Sequence, residues 1–378
     1  MQHLLTGIRM LDFTRALAGP TCTRMFAEMG AEVIKVESAP GGEMGRSISK
    51  SCNVSKSGSE RSLYYIQQNL NKKSLCIDFG SPAAMDLLRE LVPHCDVVVE
   101  NFRPGVIAQL GFGYEELKRL RPDIILCSIS AMGQRGPLAQ RPGYDYIAQA
   151  YSGITSMIGE PAQAPSIPLA AVGDISTGVH GAFGVAAALL HRARTGQGQW
   201  LDIALLDAYY HYHEVSVHQC SASGGAIQPS RAGRQMSYVC PAGVFKVRGG
   251  YIILMAFMHH WADLCRAMER PDLEQDPRYV NDTERLARRD EVVAIIEGWL
   301  ERFADANAAV AYLESFDVPC APVLNIAQTL KHPHLVERGT VRTVKDRLAG
   351  EFQMPGMPIK TSGYPANNEL QAPLLGEH

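Results

Sequence analysis

Apolar positions fall into two alternating periods over the first 130 residues. Ile8–Phe13 is a short apolar run that closes in a polar turn. Pro20–Met29 follows with helical spacing, and Pro20 suits a first helical turn, where its missing N–H costs nothing. Glu32–Glu37 (EVIKVE) alternates with period two, as a strand does. Leu75–Phe79 is another short run, and Pro82–Leu91 sets Met85, Leu88 and Leu91 on one helical face. Val97–Glu100 and Ile124–Ile129 are β-branched runs with a helical stretch, Tyr114–Leu120, between them. Strand, helix and strand in repeat predict parallel strands joined by helical crossovers. Continuously apolar runs such as Val97–Val99 fit a sheet covered on both faces.

Gly178–Arg194 reads as a long buried helix. Gly178, Gly181 and Gly184 recur every three residues, so a neighbouring backbone can come close. Gly196 and Gly198 end it, Trp200–Leu205 returns as a strand, and Ala208–Cys220 is helical again. The stretch Ser221–Arg234, rich in Gly, Ser, Gln and Arg, reads as a linker. Beyond it the pattern gives a strand at Tyr251–Ala256 and helices at His260–Met268, Thr283–Phe303 and Ala306–Phe316. The fold predicted is α/β: a Rossmann-like large domain with a parallel sheet over 1–220, a linker over 221–234, and a smaller α+β domain over 235–325. A tail over 326–378 returns to the large domain.

Composition narrows the function more than the fold. The 378 residues carry 36 Lys and Arg against 39 Asp and Glu, a net charge of -3. That balance sets aside a general nucleic-acid binder, which needs a basic excess. An anionic ligand would have to be held by local cations. No apolar stretch approaches the roughly 20 residues a bilayer requires, and MQHLLTGIRMLDF lacks the features of a signal peptide. The nine cysteines are scattered, with no CxxC pair. Reduced thiols in a cytoplasm are the simplest expectation.

The common cofactor fingerprints are missing. There is no GxGxxG after a strand, no GxxxxGK[ST] and no GxSxG. His211, Glu214 and His218 would share one face of a helix, but HxHE is not the HExxH of a zinc site, so no metal is expected. Asp174 stands out in VGDISTG, just ahead of the glycine-spaced helix. The plainer role there is a helix N-cap; the chemical one is a nucleophilic carboxylate at a strand-to-helix turn. Two turns bear cations: Asn69–Ser74 (NLNKKS) and Glu100–Gly105 (ENFRPG). The second follows a strand, where ligands gather in parallel sheets. The plainer roles are a solvated turn for Lys72 and Lys73, and a surface ion pair with Glu100 or Glu115 for Arg103.

In order and spacing these segments resemble the family III coenzyme A transferases (CaiB/BaiF), the group that includes formyl-CoA transferase. The likeness rests on Leu11–Pro20 (LDFTRALAGP), Gly30–Glu37 (GAEVIKVE), NLNKKS, Asp96–Gly105 (DVVVENFRPG), Pro142–Gly153 (PGYDYIAQAYSG), Gly173–Gly178 (GDISTG), Arg194–Ala208 (RTGQGQWLDIALLDA) and the closing PLLGEH. It implies that Asp174 is a nucleophile. It also implies a CoA groove at Ala18, Lys72, Ile77, Asp78, Asn101, Phe102, Arg103, Tyr144 and Asp145, and an interlaced homodimer. CoA would be a substrate, with no permanently bound cofactor; the partners implied are an acyl-CoA and a small carboxylic acid.

The departures bear on specificity. The GGGGQ loop of formyl-CoA transferase is missing, Leu17 stands in place of a glutamine, and Gln109 replaces a common arginine. These weaken an expectation of oxalate use and leave the transferase reading intact. The chemistry implied is transfer of CoA between acids through aspartyl anhydride and aspartyl-CoA intermediates. Two alternatives stand beside it. An α-methylacyl-CoA racemase pairs the aspartate with a histidine, and Tyr144 occupies that position here; tyrosine is a poor base near neutral pH. A non-catalytic CoA-binding protein would have no use for the intact GDISTG.

Overall fold

The computed structural model describes residues 3–47, 61–257, 259–364 and 369–378. The chain forms two compact units. One comprises Met1–Gly153, Pro168–Glu214 and Leu330–His378; the other comprises Ile154–Ile167 and Val215–Thr329.

The first unit is built on six parallel strands: β1 (Arg9–Asp12), β2 (Glu32–Ser38), β3 (Lys73–Ile77), β4 (Val97–Glu100), β5 (Ile125–Ser130) and β6 (Trp200–Ala204), in the order β3-β2-β1-β4-β5-β6. The α/β reading and the parallel sheet stand. β4 and β5 are buried along their whole length, as a sheet covered on both faces requires. On one side Leu11, Val98 and Leu126 pack with Leu88, Phe112 and Leu117 into a single apolar core. The helix over Pro82–Leu91 forms where its spacing predicted: Ser81 caps it by accepting from the Ala84 N–H, and Pro82 occupies the first turn.

Order reverses between β1 and β4, the two neighbours that start opposite halves of the sheet. In such sheets the loops leaving these strands part and open a crevice at their carboxyl ends. The Ala18–Glu28 helix follows β1 and packs against a helix over Val172–Thr195. Gly178 makes that approach possible, since a Cβ there would lie 2.6 Å from the Ala18 carbonyl oxygen. The long helix begins six residues before the predicted Gly178. Its N-cap is Ala171, so Asp174 lies inside the first turn and does not cap it. The helix ends at Gly196, whose φ of 72° suits glycine.

The chain's end lies on β3: the His378 N–H donates to the Ser74 carbonyl at 3.1 Å, and the Gly376 N–H to Ser74 Oγ at 3.0 Å. An antiparallel pair, β10 (Val341–Asp346) and β11 (Gly350–Pro355), precedes it. The second unit has an antiparallel sheet of β7 (Ala242–Val247), β8 (Gly250–Met255) and β9 (Cys320–Pro322), with helices around a core that includes Phe245, Trp261, Ile296 and Leu313. The helix expected over Ala208–Cys220 is two helices, Leu205–His211 and Ser216–Ala222. The one expected over Thr283–Phe303 is likewise split, into Asp282–Ala287 and Arg289–Leu300. The eight described cysteines are free thiols; Cys52 lies outside the described residues. Among the described residues no helix is long and apolar enough to cross a membrane.

Candidate active site

A pocket with a cavity volume of about 270 Å³ opens at the carboxyl ends of β1, β4 and β5. The turn after β1 supplies Arg15–Ala18, the turn after β4 supplies Asn101–Pro104, the end of β5 and the residue after it supply Ile129–Ala131, and Arg141–Tyr144 and Asp174 are also in the wall. Asn101 ties the first two turns together. It accepts from the Arg15 N–H at 2.9 Å and donates to the Arg15 carbonyl at 2.8 Å. The Arg15 guanidinium lies over the Phe102 ring, 5.3 Å from its centre. Ala16 takes a φ of 63°, and its N–H donates to the Glu43 carboxylate at 3.1 Å, which offsets the cost of that conformation.

Asp174 is held from behind. Its N–H donates to Asp145 Oδ2 at 2.8 Å, and the Tyr209 phenol donates to the other oxygen of Asp145. The Tyr209 oxygen in turn accepts from the Gly173 N–H at 3.1 Å and from Gln149 Nε2 at 3.2 Å. Two backbone N–H groups of the helix's first turn are thereby satisfied by buried side chains. Position 173 admits only glycine, because a Cβ would fall 2.1 Å from the Tyr209 ring. The half-buried Asp174 carboxyl is pushed up from 3.8 to about 7, first by burial and then by the charge of Asp145. The Tyr64 phenol is raised as well, by burial and then by the negative charges of Asp174 and Glu43.

Of the residues singled out in the sequence, Ala18, Asn101, Phe102, Arg103, Tyr144 and Asp174 line this one pocket, with Asp145 immediately behind it. Arg103 is exposed, and among the described residues it forms no ion pair with Glu100 or Glu115. Glu100 is buried, raised to about 7 by that burial, and accepts from the Phe102 N–H at 2.8 Å.

Lys72 is not at the pocket. Its side chain is fully buried, and the ammonium donates to Asp12 Oδ2 at 3.0 Å, Thr23 Oγ1 at 2.7 Å and Asn69 Oδ1 at 3.0 Å. Its three protons are consumed by the protein, which leaves none for a phosphate in this arrangement. Its neighbour Lys73 is exposed and pairs with Glu32. Ile77 ends β3 and Asp78 follows it, and neither lines the pocket; Ile77 is buried, and Asp78 Oδ1 accepts from the Gly80 N–H at 2.8 Å.

The expected face of His211, Glu214 and His218 does not form, because the chain leaves helix between His211 and Ser216. His213 instead bonds the Ser152 carbonyl at 2.8 Å. Sequence reasoning passed over Arg141 and Glu43, and reads Tyr209 only as part of an apolar, tyrosine-rich stretch, Tyr209–Tyr212, suited to a buried interface. Arg141 directly precedes the quoted PGYDY segment and Tyr209 follows the quoted ALLDA, so both were adjacent to motifs. Nothing in the sequence tied Glu43 to the turn after β1.

Comparisons with known proteins agree with this geometry. A profile of CoA-transferase family III matches residues 5–378. Succinyl-CoA:mesaconate CoA-transferase of Haloarcula hispanica is 36% identical over 99% of this chain and 94% of its own. Human succinyl-CoA:glutarate CoA-transferase is 32% identical over 99% of this chain and 84% of its own. Formyl-CoA:oxalate CoA-transferase of Afipia carboxidovorans is 32% identical over 100% and 92%. Among solved structures, a CaiB/BaiF family protein from Brucella suis superposes with a TM-score of 0.87 at 30% identity, covering 100% of this chain and 98% of its own. With the match running the length of the chain and the pocket at the switch point of its sheet, this protein belongs to CoA-transferase family III and is an enzyme of that class.

Proposed function

We propose that the enzyme transfers coenzyme A from an acyl-CoA thioester to a free small carboxylic acid, with Asp174 as the covalent nucleophile. The carrying observation is the Asp174 carboxyl in a pocket wall, its backbone fixed by Asp145 and its proton affinity raised to about 7. Support for the acid class comes from the relatives, whose named acids, mesaconate, glutarate and oxalate, are all small carboxylic acids.

The steps balance without an external proton donor. The Asp174 carboxylate attacks the thioester carbonyl, the C–S bond breaks, and CoA thiolate leaves behind a mixed anhydride. The thiolate then attacks the aspartyl carbonyl and expels the first acid as its carboxylate, leaving an aspartyl-CoA thioester. The incoming carboxylate attacks the same carbonyl and releases the thiolate, forming a second anhydride. Attack of the thiolate on the new acyl carbonyl yields the new acyl-CoA and restores Asp174. An anhydride lies above a thioester in energy, so the enzyme must narrow that gap. Asp145 contributes here. Its charge opposes ionised Asp174 and loses that opponent when Asp174 is acylated. Burial first and Asp145 second raise the acid from 3.8 to about 7, which together correspond to roughly 4 kcal/mol between charged and neutral forms. Any neutral acyl form of Asp174 shares in that relief.

The Asn101–Arg103 turn and Ala18 are the proposed contacts for CoA, with Arg103 offering an exposed cation to its phosphates. Tyr144 lines the same pocket, and among the described residues no histidine does, which favours transfer over α-carbon racemisation.

The reading includes a homodimer. The outward face of the Val172–Thr195 helix exposes Ile175, Val179, Phe183 and Leu190, a row of large apolar side chains suited to cover by a second copy. Sedimentation at low micromolar concentration is expected to give a single dimeric species; an active monomer would contradict it. For the chemistry, Asp174→Ala is expected to lower transfer at least a thousandfold while the protein still binds CoA. Transfer within tenfold of the parent would remove Asp174 as nucleophile.

A further inference from the structure

A second cavity lies in the same unit, at the other end of the Ala18–Glu28 helix. Ala18 lines the active-site pocket and Glu28 lines this one, with about 15 Å of helix between them. The two share no lining residue. The second has a volume of about 540 Å³, twice that of the first and in the range of cavities that hold small organic ligands. Its wall is divided. Met29, Val341, Met357, Ile359 and Leu370 make it apolar, while Arg338, Arg342 and Lys360 supply three cations. Its carboxylates are Glu28 and Glu337, so with His3 neutral the lining keeps a surplus of one positive charge. Glu28 is already engaged: Arg342 Nη1 and Nη2 donate to its two oxygens at 2.6 and 2.9 Å, and Arg24 pairs with it at 3.4 Å. Donors are left over around the cavity. Arg342 is buried, and among the described residues its Nε–H has no acceptor, an arrangement that costs stability until a partner arrives. Arg338 is exposed and, among the described residues, forms no ion pair, so its guanidinium fork is open. Lys360 Nζ donates to the Gly339 and Met357 carbonyls at 3.0 and 2.6 Å, which leaves one of its three protons. Burial, then Arg338 and Arg342, hold Lys360 below the ordinary lysine value, so the three cations crowd one another.

We propose that this cavity is a second binding site, for a monocarboxylate with an apolar body, whose carboxylate meets Arg338, Arg342 and Lys360 and whose chain lies against Met29, Met357 and Ile359. The charge selects the head group. A surplus of one favours a monoanion over a phosphate dianion, and the open fork of Arg338 matches a carboxylate in two-point contact. The apolar wall selects the body, since each buried methylene adds affinity that a short acid cannot gain. The site stands apart from the acids of the transfer reaction, which meet Asp174 in the other pocket.

The test is isothermal titration of the full chain with butanoate, octanoate, octanamide and octyl phosphate. Four proteins are compared: the parent, Arg338→Glu, Ile359→Glu and, in the active-site pocket, Arg141→Ala. Arg338 and Ile359 are both exposed, so each variant is expected to keep the parent's thermal midpoint, and the second stands in if the first does not fold. Octanoate is expected to bind the parent at one site per chain, at least tenfold tighter than butanoate and at least fivefold tighter than octanamide or octyl phosphate. Arg338→Glu and Ile359→Glu should each weaken octanoate at least tenfold, and Arg141→Ala should leave it within twofold. No saturable binding at millimolar octanoate, or octanoate no tighter than butanoate, overturns the site. Affinity that survives both cavity variants and falls in Arg141→Ala moves the acid to the active-site pocket and overturns it as well. Octyl phosphate binding tighter than octanoate overturns the carboxylate head group.

Discussion

Two carboxylates in the first unit, Asp12 and Asp174, occupy comparable positions and behave in opposite ways. Asp12 ends β1 and is completely buried; Asp174 begins a helix and is half-buried. Burial pushes both upward. Around Asp12, however, the Lys72 and Lys35 ammoniums and the Thr14 and Thr23 hydroxyls outweigh it and hold the group at about 2. Around Asp174 the charge of another carboxylate, Asp145, adds to burial, and the group rises to about 7. The sign of the neighbour, more than depth, separates a structural anion from a poised one. Glu37 repeats the first pattern: paired with Arg46 and hydrogen-bonded to Ser74, it is held at about 2.

The consequences for stability have opposite signs. Asp12 has a depressed folded value, so it contributes stability that is present above its unfolded value near 3.8 and is lost as pH falls toward about 2. Asp174 has a raised folded value. Its ionisation is resisted by the fold, so it subtracts stability progressively as pH rises from about 4 through about 7.

The largest stability effect is expected on the Asp12 side. Lys72→Met leaves Asp12 buried and short of its nearest cation, and urea unfolding at pH 7 should show a loss of about 3–5 kcal/mol. The enzyme that remains folded should keep its KM for acyl-CoA within threefold. A stable variant with a much higher KM would move Lys72 back into the CoA site. On the Asp174 side the change is smaller and of the other sign. Asp174→Asn keeps the shape and removes the resisted charge. At pH 8 it should stabilise the fold by about 1–3 kcal/mol, reduced from the full shift because the group is partly solvated. That gain should vanish below pH 4. A variant less stable than the parent at pH 8 would mean that the Asp174 charge is welcomed where it sits.

The same contrast governs what could be read from residues alone. Periodicity located the strands at Glu32–Glu37 and Val97–Glu100 and the helix at Pro82–Leu91, because apolar spacing reports burial directly. The glycines at 178 and 181 announced a close helix packing for the same reason: the absence of a side chain is visible in sequence. The site was legible in outline through Asp174 and the Asn101–Arg103 turn. What stayed hidden was the direction of side chains. Lys72 looks like a phosphate ligand in NLNKKS, yet its ammonium points inward to Asp12, sixty residues earlier in the chain. Tyr209 looks like a core or interface aromatic, yet its phenol reaches Asp145 and orders the start of the Asp174 helix. The break between His211 and Ser216 was unreadable because no proline or glycine marks it.

The central claim, that the poised carboxylate becomes covalently acylated, is tested most directly by trapping. The parent enzyme, incubated with an acyl-CoA donor and hydroxylamine but no acceptor acid, should be converted at the aspartyl carbonyl to a hydroxamate, with loss of activity in step. Peptide mass mapping should find that hydroxamate on Asp174 and not on Asp12 or Asp145. Steady formation of new acyl-CoA by an enzyme whose Asp174 stays unmodified under these conditions would contradict the account.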